Sequence, residues 1–197
     1  MASMPGLRER RRLAAMRAIQ ASALDLFDER GFNGVTIEEI AAAAEVSPSS
    51  VYRYFGTKEG IVVADEFDRL DSDALAELLD PADPVAGLLA AVRAYEGEGA
   101  ADVPALAARR VRWFFAEPSV RQAVLAVLDR SAQRLAPMLA EANGLDALEA
   151  RALTNALVFG YFAALEQWHL DGGEGSIADY VERALAPLRA AWPTPTS

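Results

Sequence analysis

Residues 36–58 read TIEEIAAAAEVSPSSVYRYFGTK, and this stretch decides how the N-terminal part of the chain folds. Thr36 is a good helix N-cap, and Glu39, three residues later, completes a capping box. Apolar residues then recur on one face at helical spacing, namely Ile37, Ile40, Ala41 and Ala44. The pattern predicts a short helix that begins directly after Thr36.

A second short helix is predicted to follow at once. Ser47 is a favourable N-cap and Pro48 suits a first helical turn. Val51 and Phe55, four residues apart, anchor this helix to the core, which leaves its other faces to Ser49, Ser50, Tyr52, Arg53 and Tyr54. Two helices joined this tightly form a helix-turn-helix, whose second helix fits the major groove of DNA.

This block resembles the DNA-binding signature of TetR-family transcriptional repressors: a Thr-led helix, then V-S-x-x-x-x-Y, then Y-x-Y-F-x-x-K. The matching residues are Thr36, Val46, Ser47, Tyr52, Tyr54, Phe55 and Lys58. A long first helix over residues 8–30, with the run ERGF at residues 29–32, extends the resemblance to residues 8–62, about a third of the chain.

One position departs from the family pattern. Glu45 stands just before Val46, where family members usually carry Gly. A non-Gly residue with positive φ costs about 1 kcal/mol. We therefore expect a turn that is either slightly strained or differently shaped.

The resemblance implies a set of DNA contacts on these two helices and the residue after them. Tyr52 and Lys58 are expected at phosphates, and Thr36 places a hydroxyl and a helix N-terminus at the DNA backbone. Ser47 caps the second helix and contacts phosphate. The side chains expected to reach base edges are Ser49, Ser50, Arg53 and Tyr54. The alternative for the two tyrosines is packing within the small domain.

The charge of the chain is unevenly distributed. The net charge is −10, yet residues 1–60 hold eight Lys and Arg against eight Asp and Glu, whereas residues 61–197 hold eleven against twenty-one. Between positions 7 and 17 there are five arginines and one acidic residue, Glu9, so the local net charge is +4. The arginines are Arg8, Arg10, Arg11, Arg12 and Arg17. Such a cluster is either a solvated tail or a phosphate contact.

Composition excludes several classes of protein. There is no Cys, so disulfides, thiol catalysis and thiolate zinc sites are ruled out, and His169 is the only histidine, so no His pair can bind a metal. We find no catalytic constellation and expect neither an enzyme, nor a metal site, nor a cofactor. No apolar run reaches about 18 residues, and no apolar segment follows the N-terminal arginines, which predicts a cytoplasmic protein without a signal peptide or a membrane span.

The remainder of the chain is predicted to be helical, because alternating strand patterns are absent. A fourth helix is expected from residue 57 or 58 to about 79. The next is expected to start at residues 83–84 and to end in the EGEGA stretch at residues 96–100, and another runs from Asp102 to the break at residues 117–118. A helix from there towards residues 143–144 should kink at Pro137. Asp146 and Glu149 form a capping box for a long helix to about residue 170, and a last helix runs from Ser176 to before Pro193. The fold class is therefore all-α with about nine helices. We expect an N-terminal arm and three-helix DNA-binding domain over residues 1–57, and a larger ligand-binding and dimerisation domain over residues 58–197.

The helix over residues 146–170 is apolar on more than one face, so it should be buried on more than one side. The TetR resemblance implies that it pairs, with the last helix, against the same helices of a second copy. The alternative is that these residues fill a monomeric core.

Aromatic residues concentrate in the same region, at residues 113–115, 159, 161–162 and 168. In TetR-like proteins the middle helices enclose an apolar cavity, which such residues would line, although an aromatic stripe also suits plain core. The candidate pocket comprises Arg109, Trp113, Phe114, Asn155, Phe159, Phe162 and Glu166. Asn155 is either a ligand contact or a polar group at an interface.

The favoured hypothesis is a homodimeric transcriptional repressor that binds a palindromic double-stranded operator and is released by a small apolar ligand. The alternative is a non-catalytic helical carrier or sensor of lipid-like molecules with a vestigial DNA-binding motif. The intact capping signals and the arginine cluster favour the repressor, because a carrier needs neither.

Overall fold

The computed structural model describes residues 7–64, 79–97 and 102–192, and all its regular elements in these ranges are helices. The α-helices described are α1 Leu7–Arg30, α2 Ile37–Ala43, α3 Pro48–Phe55, α4 Lys58–Val63, α5 Pro84–Gly97, α6 Asp102–Ala116, α7 Pro118–Asn143, α8 Ala147–Leu170 and α9 Ile177–Ala191. A short 3-10 helix, Phe32–Gly34, follows α1. The predicted all-α class is thus confirmed. None of these helices is both long enough and apolar enough to cross a bilayer.

The chain divides into two compact units, Met1–Ala64 and Asp65–Ser197. The sequence favours a boundary seven residues earlier, after Thr57. Helix α4 lies with the first unit because its apolar residues are buried, with Ile61 and Val62 each 1% exposed. Where the DNA-binding domain ends as a folding unit stays a prediction.

The first unit has a core built from one face of α1. Ile19, Ala23, Leu24 and Phe27 recur at helical spacing and are almost fully buried. The ring of Phe27 lies 4.9 Å from that of Phe32 in the 3-10 helix. The two residues predicted to anchor the second short helix, Val51 and Phe55, are also buried. Helices α2, α3 and α4 are too short to be stable alone, so their stability depends on these buried residues.

Helix α4 ends earlier than the sequence predicts. The expected helix extends to about residue 79, but Ala64 already has an extended backbone with ψ of 128°. Buried Gln20 on α1 stabilises this end, because its Nε2 donates to the carbonyls of Ile61 and Ala64, each at 3.0 Å. The predicted continuation over residues 65–78 lies outside the described residues.

In the second unit α5, α8 and α9 share a buried core, which contains Val85, Leu89, Leu157, Ala164, Ala178, Val181 and Leu185. The predicted capping box of Asp146 and Glu149 is present at the start of α8. Pro137, where we expect a kink, lies inside the single helix α7. Helices α8 and α9 approach closely at Gly160, where an added Cβ would lie 2.7 Å from Cδ2 of Leu185.

Candidate nucleic-acid interface

The start of α2 is closed by the predicted capping box. Thr36 Oγ1 accepts a hydrogen bond from the backbone N of Glu39 at 3.2 Å. In return Glu39 Oε2 accepts from the backbone N of Thr36 at 2.8 Å and from its hydroxyl at 3.0 Å. Two of the helix's free N–H groups are thereby satisfied, and Thr36 remains exposed at the helix N-terminus.

Glu39 also connects α2 to the end of α1. Its Oε1 accepts from Arg30 at 2.7 Å, and Arg30 donates in addition to the carbonyl of Gly34 at 2.8 Å. The backbone N–H of Thr36, followed by Arg30 and the Thr36 hydroxyl, lowers the pKa of Glu39 to about 2. The carboxylate therefore stays ionised at neutral pH, with its charge compensated by these donors. Sequence reasoning found the capping box but missed Arg30.

The turn between α2 and α3 contains a residue in the left-handed conformation. Glu45 has φ of +54°. The backbone N of Val46 donates to the carbonyl of Ala41 at 2.9 Å, and that of Glu45 donates to Ala42 at 3.2 Å. This pair of bonds is a Schellman motif, which usually has Gly at the residue that Glu45 occupies. Of the two expected outcomes, the structure therefore has the strained turn.

Three serine hydroxyls gather at the N-terminus of α3. Ser47 Oγ accepts from the backbone N of Ser50 at 3.3 Å, so Ser47 is the N-cap, as predicted. The same Oγ lies 2.9 Å from the hydroxyls of Ser49 and of Ser50. Hydroxyl donors at a helix N-terminus form an arrangement suited to a phosphate oxygen.

The outer face of α3 carries a cation and two phenols. Tyr52 is 50% exposed, and Arg53 is also exposed. The Arg53 guanidinium lies 4.8 Å from the centre of the Tyr54 ring and donates to Tyr54 OH at 3.2 Å and to Ser50 Oγ at 3.3 Å. Tyr54 is half-buried and meets the Phe55 ring edge-on, so it both packs and presents its hydroxyl. The weak exposed bonds of Arg53 leave it able to turn towards a ligand.

Lys58 makes contacts that the sequence did not suggest. Its Nζ donates to the carbonyls of Phe32 at 2.9 Å and Val35 at 3.0 Å, and lies 4.4 Å from the centre of the Phe32 ring. Two of its three N–H groups thus hold the segment that leads into α2. Contact between Lys58 and a phosphate stays a prediction. In addition, Lys58 stabilises the segment before α2 through these hydrogen bonds.

All eight residues of the predicted DNA-contacting set lie in the first unit. The exposed members are Thr36, Ser47, Ser49, Tyr52 and Arg53, whereas Ser50, Tyr54 and Lys58 are half-buried. The arginine cluster lies at the start of α1, which begins at Leu7, and Arg11 is exposed there.

The predicted pocket residues do not gather at one cavity. A cavity of about 150 Å³ lies among α5, α6, α8 and the loop before α9, and of the predicted set only Phe114 lines it. Asn155 borders an open groove between α7 and α8. Phe159 is 37% exposed on α8.

The other four predicted pocket residues do not line this cavity. Two of them, Phe162 and Glu166, form a cluster with Phe115 and Arg121. Glu166 accepts from Arg121 at 2.8 Å, and the buried ring of Phe162 lies 5.1 Å from that of Phe115. Arg121 stacks over both rings. Arg109 and Trp113 are half-buried on α6. The cavity is instead lined by Arg110, Tyr95 and Glu96, which the prediction omitted, and by Tyr161 and Trp168 from the predicted aromatic group.

Comparison with known proteins gives the clearest match for the first unit. The family model described as bacterial regulatory proteins of the tetR family matches residues 19–64. The HTH-type transcriptional regulator TcmR of Streptomyces glaucescens is 34% identical over 96 residues, which are 47% of this chain and 42% of TcmR. The HTH-type transcriptional regulator RutR of Escherichia coli K12 is 41% identical over 59 residues, 30% of this chain and 28% of RutR. The matches thus cover less than half the length of these relatives.

A solved structure that matches most of the chain is similar to it in fold. NalD, the secondary repressor of the MexAB-OprM multidrug efflux pump in Pseudomonas aeruginosa, has a TM-score of 0.54 and 22% sequence identity. The match covers 89% of this chain and 93% of the NalD chain.

Proposed function

Because this chain belongs to the TetR family of bacterial transcriptional regulators, we propose that it is a homodimeric repressor of a palindromic operator. In this proposal residues 1–57 read DNA, and residues 58–197 dimerise and bind a small ligand that releases the operator. For the ligand to release the operator, it must bind more tightly to the protein conformation that does not fit the operator than to the one that does.

The observation that carries the proposal is the capped helix-turn-helix formed by α2 and α3. Both helices are too short to be stable alone, and each is held by a side-chain cap and by buried residues on its inner face. The outer face of α3 is left with Ser49, Tyr52 and Arg53 exposed. A rigid helix with an outward arginine and hydroxyls has the chemistry for reading base edges in the major groove.

Each exposed group has a specific proposed role. Arg53 donates to a guanine, since its guanidinium matches the O6 and N7 acceptors of that base. The hydroxyls at the start of α3 and of α2 bind phosphates and set the position of the protein on the duplex. Tyr52 and the remaining N–H of Lys58 add phosphate contacts.

Dimerisation is supported by the outward face of α8. Small or apolar residues are exposed along it at helical spacing, namely Ala152, Ala156, Phe159, Ala163 and Leu170. A symmetric pair of such faces would bury this stripe. Two copies of α3 in one dimer would then read half-sites one helical turn, about 34–36 Å, apart.

Selection of bound sequences from a random double-stranded DNA pool tests this proposal. The selection is run with the full chain at about 150 mM salt, so that purely electrostatic binding is suppressed. We expect a palindrome. Failure to enrich any sequence, with the protein folded and dimeric, would overturn the proposal in favour of a carrier or a regulator that needs its ligand to bind DNA.

Variants of α3 sharpen the same experiment. Arg53→Ala should relax the preference at one base pair of each half-site and cost about 1–3 kcal/mol on the best sequence. Tyr52→Phe should weaken binding to all sequences alike. Arg130→Ala, which removes an exposed arginine on α7, is the matched control. Equal losses on every sequence for Arg53→Ala would remove Arg53 from base readout.

A further inference from the structure

Four of the twelve residues that line the cavity in the second unit are aromatic. Tyr95 on α5, Phe114 on α6, and Tyr161 and Trp168 on α8 all line it. Trp168 and Phe114 are buried, and the Trp168 indole N–H donates to the carbonyl of Gly175 at 3.2 Å, which fixes one wall. Rings held in this way favour a planar aromatic guest, because aromatic pairs gain beyond the area they bury.

The size of the cavity limits that guest to a single ring. Its volume is about 150 Å³. An apolar cavity of about 150 Å³ in another protein holds one benzene molecule. Long acyl chains and multi-ring compounds are therefore too large for the cavity as it stands.

A buried cation lines the same cavity. Arg110 on α6 is only 5% exposed. A guanidinium has five N–H donors, so it can keep its bonds within the fold and still donate to a ligand. A carboxylate is the ligand group that such a planar fork binds best, through two parallel hydrogen bonds. Without a cation beside it, a buried carboxylate would be strongly disfavoured.

Glu96 also lines the cavity, but its carboxylate is already engaged. It accepts from Ser176 Oγ at 2.8 Å and from the backbone N–H groups of Ile177 and Ala178 at the start of α9. The positive end of the helix dipole and these donors compensate its charge. Glu96 repels a second carboxylate, so a bound acid is favoured with its anionic group towards Arg110.

We infer that this cavity binds a single-ring aromatic carboxylate, with Arg110 as the partner of the carboxylate. The inference rests on the proposed function, in that this acid would be the ligand that releases the operator. It specifies more than an apolar effector: one ring, one negative charge and a named cation.

Calorimetry on the full chain tests the inference directly, with benzoate, salicylate and 4-hydroxybenzoate as probes. Benzamide replaces the carboxylate of benzoate by a neutral group, and dodecanoate replaces the ring by a long chain. We expect at least one aromatic acid to bind saturably, benzamide to bind about tenfold or more weakly than benzoate, and dodecanoate not to compete. Failure of all three acids at millimolar concentration, equal binding of benzamide, or tighter binding of dodecanoate would each overturn the inference.

Variants assign the charge to Arg110. Arg110→Gln should lower the affinity for the aromatic acid about tenfold or more and leave the affinity for benzamide unchanged. Arg112→Gln, which removes an exposed arginine from the same helix, should change neither. Should Arg110→Gln not fold, the comparison of benzoate with benzamide on the unaltered chain still decides the inference.

The two proposals fail separately. Aromatic-acid binding without a selected palindrome would leave the ligand site standing and remove the repressor. A selected palindrome without aromatic-acid binding would support the repressor and overturn the proposed ligand site.

Discussion

At the scale of single residues, Glu45 shows that the turn geometry prevails over the preference of the residue. Its backbone takes the left-handed conformation that glycine adopts without cost, and both bonds of the Schellman motif are formed. Its side chain is exposed, so nothing in the described structure compensates the strain by burial. The turn is thus kept at the expense of stability in the first unit.

Glu45→Gly should therefore stabilise the first unit by up to about 1 kcal/mol. Glu45→Ala removes the same side chain and charge but keeps a Cβ, so it should bring no comparable gain. Hydrogen exchange of the buried amides of Ile40 and Val51 in the full chain measures the effect. Equal changes for the two variants would show that the side chain, not the backbone, is responsible.

Glu39 makes the first unit sensitive to acid. Its pKa is about 2 in the folded chain against an ordinary value of 4.5. Because the folded pKa is the lower one, the stabilisation is present above pH 4.5 and is lost as the pH falls towards 2. The loss of stability between these values should be smaller in Glu39→Gln, which can keep a neutral capping box.

An NMR titration of the Glu39 carboxyl group, together with hydrogen exchange in both proteins, measures this dependence. A midpoint for Glu39 near 4.5 in the folded chain would contradict the proposed network with Thr36 and Arg30.

At the scale of elements, the corner between α3 and α4 depends on close backbone approach. A Cβ added at Gly60 would lie 2.1 Å from the carbonyl oxygen of Phe55, the last residue of α3. Backbone atoms cannot yield as a flexible side chain can. Gly60 thus allows α4 to start directly after α3 and brings Lys58 to the carbonyls before α2.

Gly60→Ala should destabilise the first unit by about 1–3 kcal/mol, because the two helices must separate. Gly34→Ala is the matched control, since a Cβ there meets its nearest neighbour at 3.8 Å. Hydrogen exchange at Val51 reports both changes. A cost for Gly34→Ala as large as that for Gly60→Ala would point to glycine flexibility in general and not to the contact with Phe55.

Helix starts could be predicted from the sequence because capping is local. Thr36, Ser47 and Asp146 each bond an N–H group within three residues of themselves, so the relevant partners are visible in the sequence. The anchors Val51 and Phe55 follow from helical spacing for the same reason.

Contacts between distant residues could not be predicted in this way. Lys58 bonds carbonyls more than twenty residues earlier, and a backbone carbonyl carries no signal in the sequence. Within α6 the candidate was Arg109, whereas Arg110 lines the cavity. Successive residues on a helix point about 100° apart. A sequence can therefore predict which helix lines a cavity without predicting which of its residues do, because that depends on the neighbouring helices.

At the scale of the whole molecule, charge is separated along the chain. Residues 1–60 are neutral overall and contain the arginine-rich start of α1, whereas residues 61–197 carry the entire net charge of −10. Counterion release depends on the local patch that meets DNA. The acidic remainder opposes non-specific attachment.

Arg11→Gln should weaken operator binding and make it less dependent on salt. If Arg11 neutralises a phosphate in each protomer, the slope of log K against log salt should fall by about one per protomer, or about two for a dimer. Titrations of operator DNA over a range of salt concentrations measure the slope. Arg130→Gln, on the surface of α7, should leave it unchanged, and an unchanged slope for Arg11→Gln would place α1 away from the phosphates.

The hydrogen bonds of Gln20 bear on how such a regulator could be recombined with another sensor. A chimera joined after Thr57 would lose Ile61 and Val62 from the core and leave the buried amide of Gln20 without its two carbonyls. A junction after Ala64 keeps all of these interactions within the transplanted piece. Residues 1–64 are therefore the portable module, and its operator preference should travel with it into a foreign scaffold.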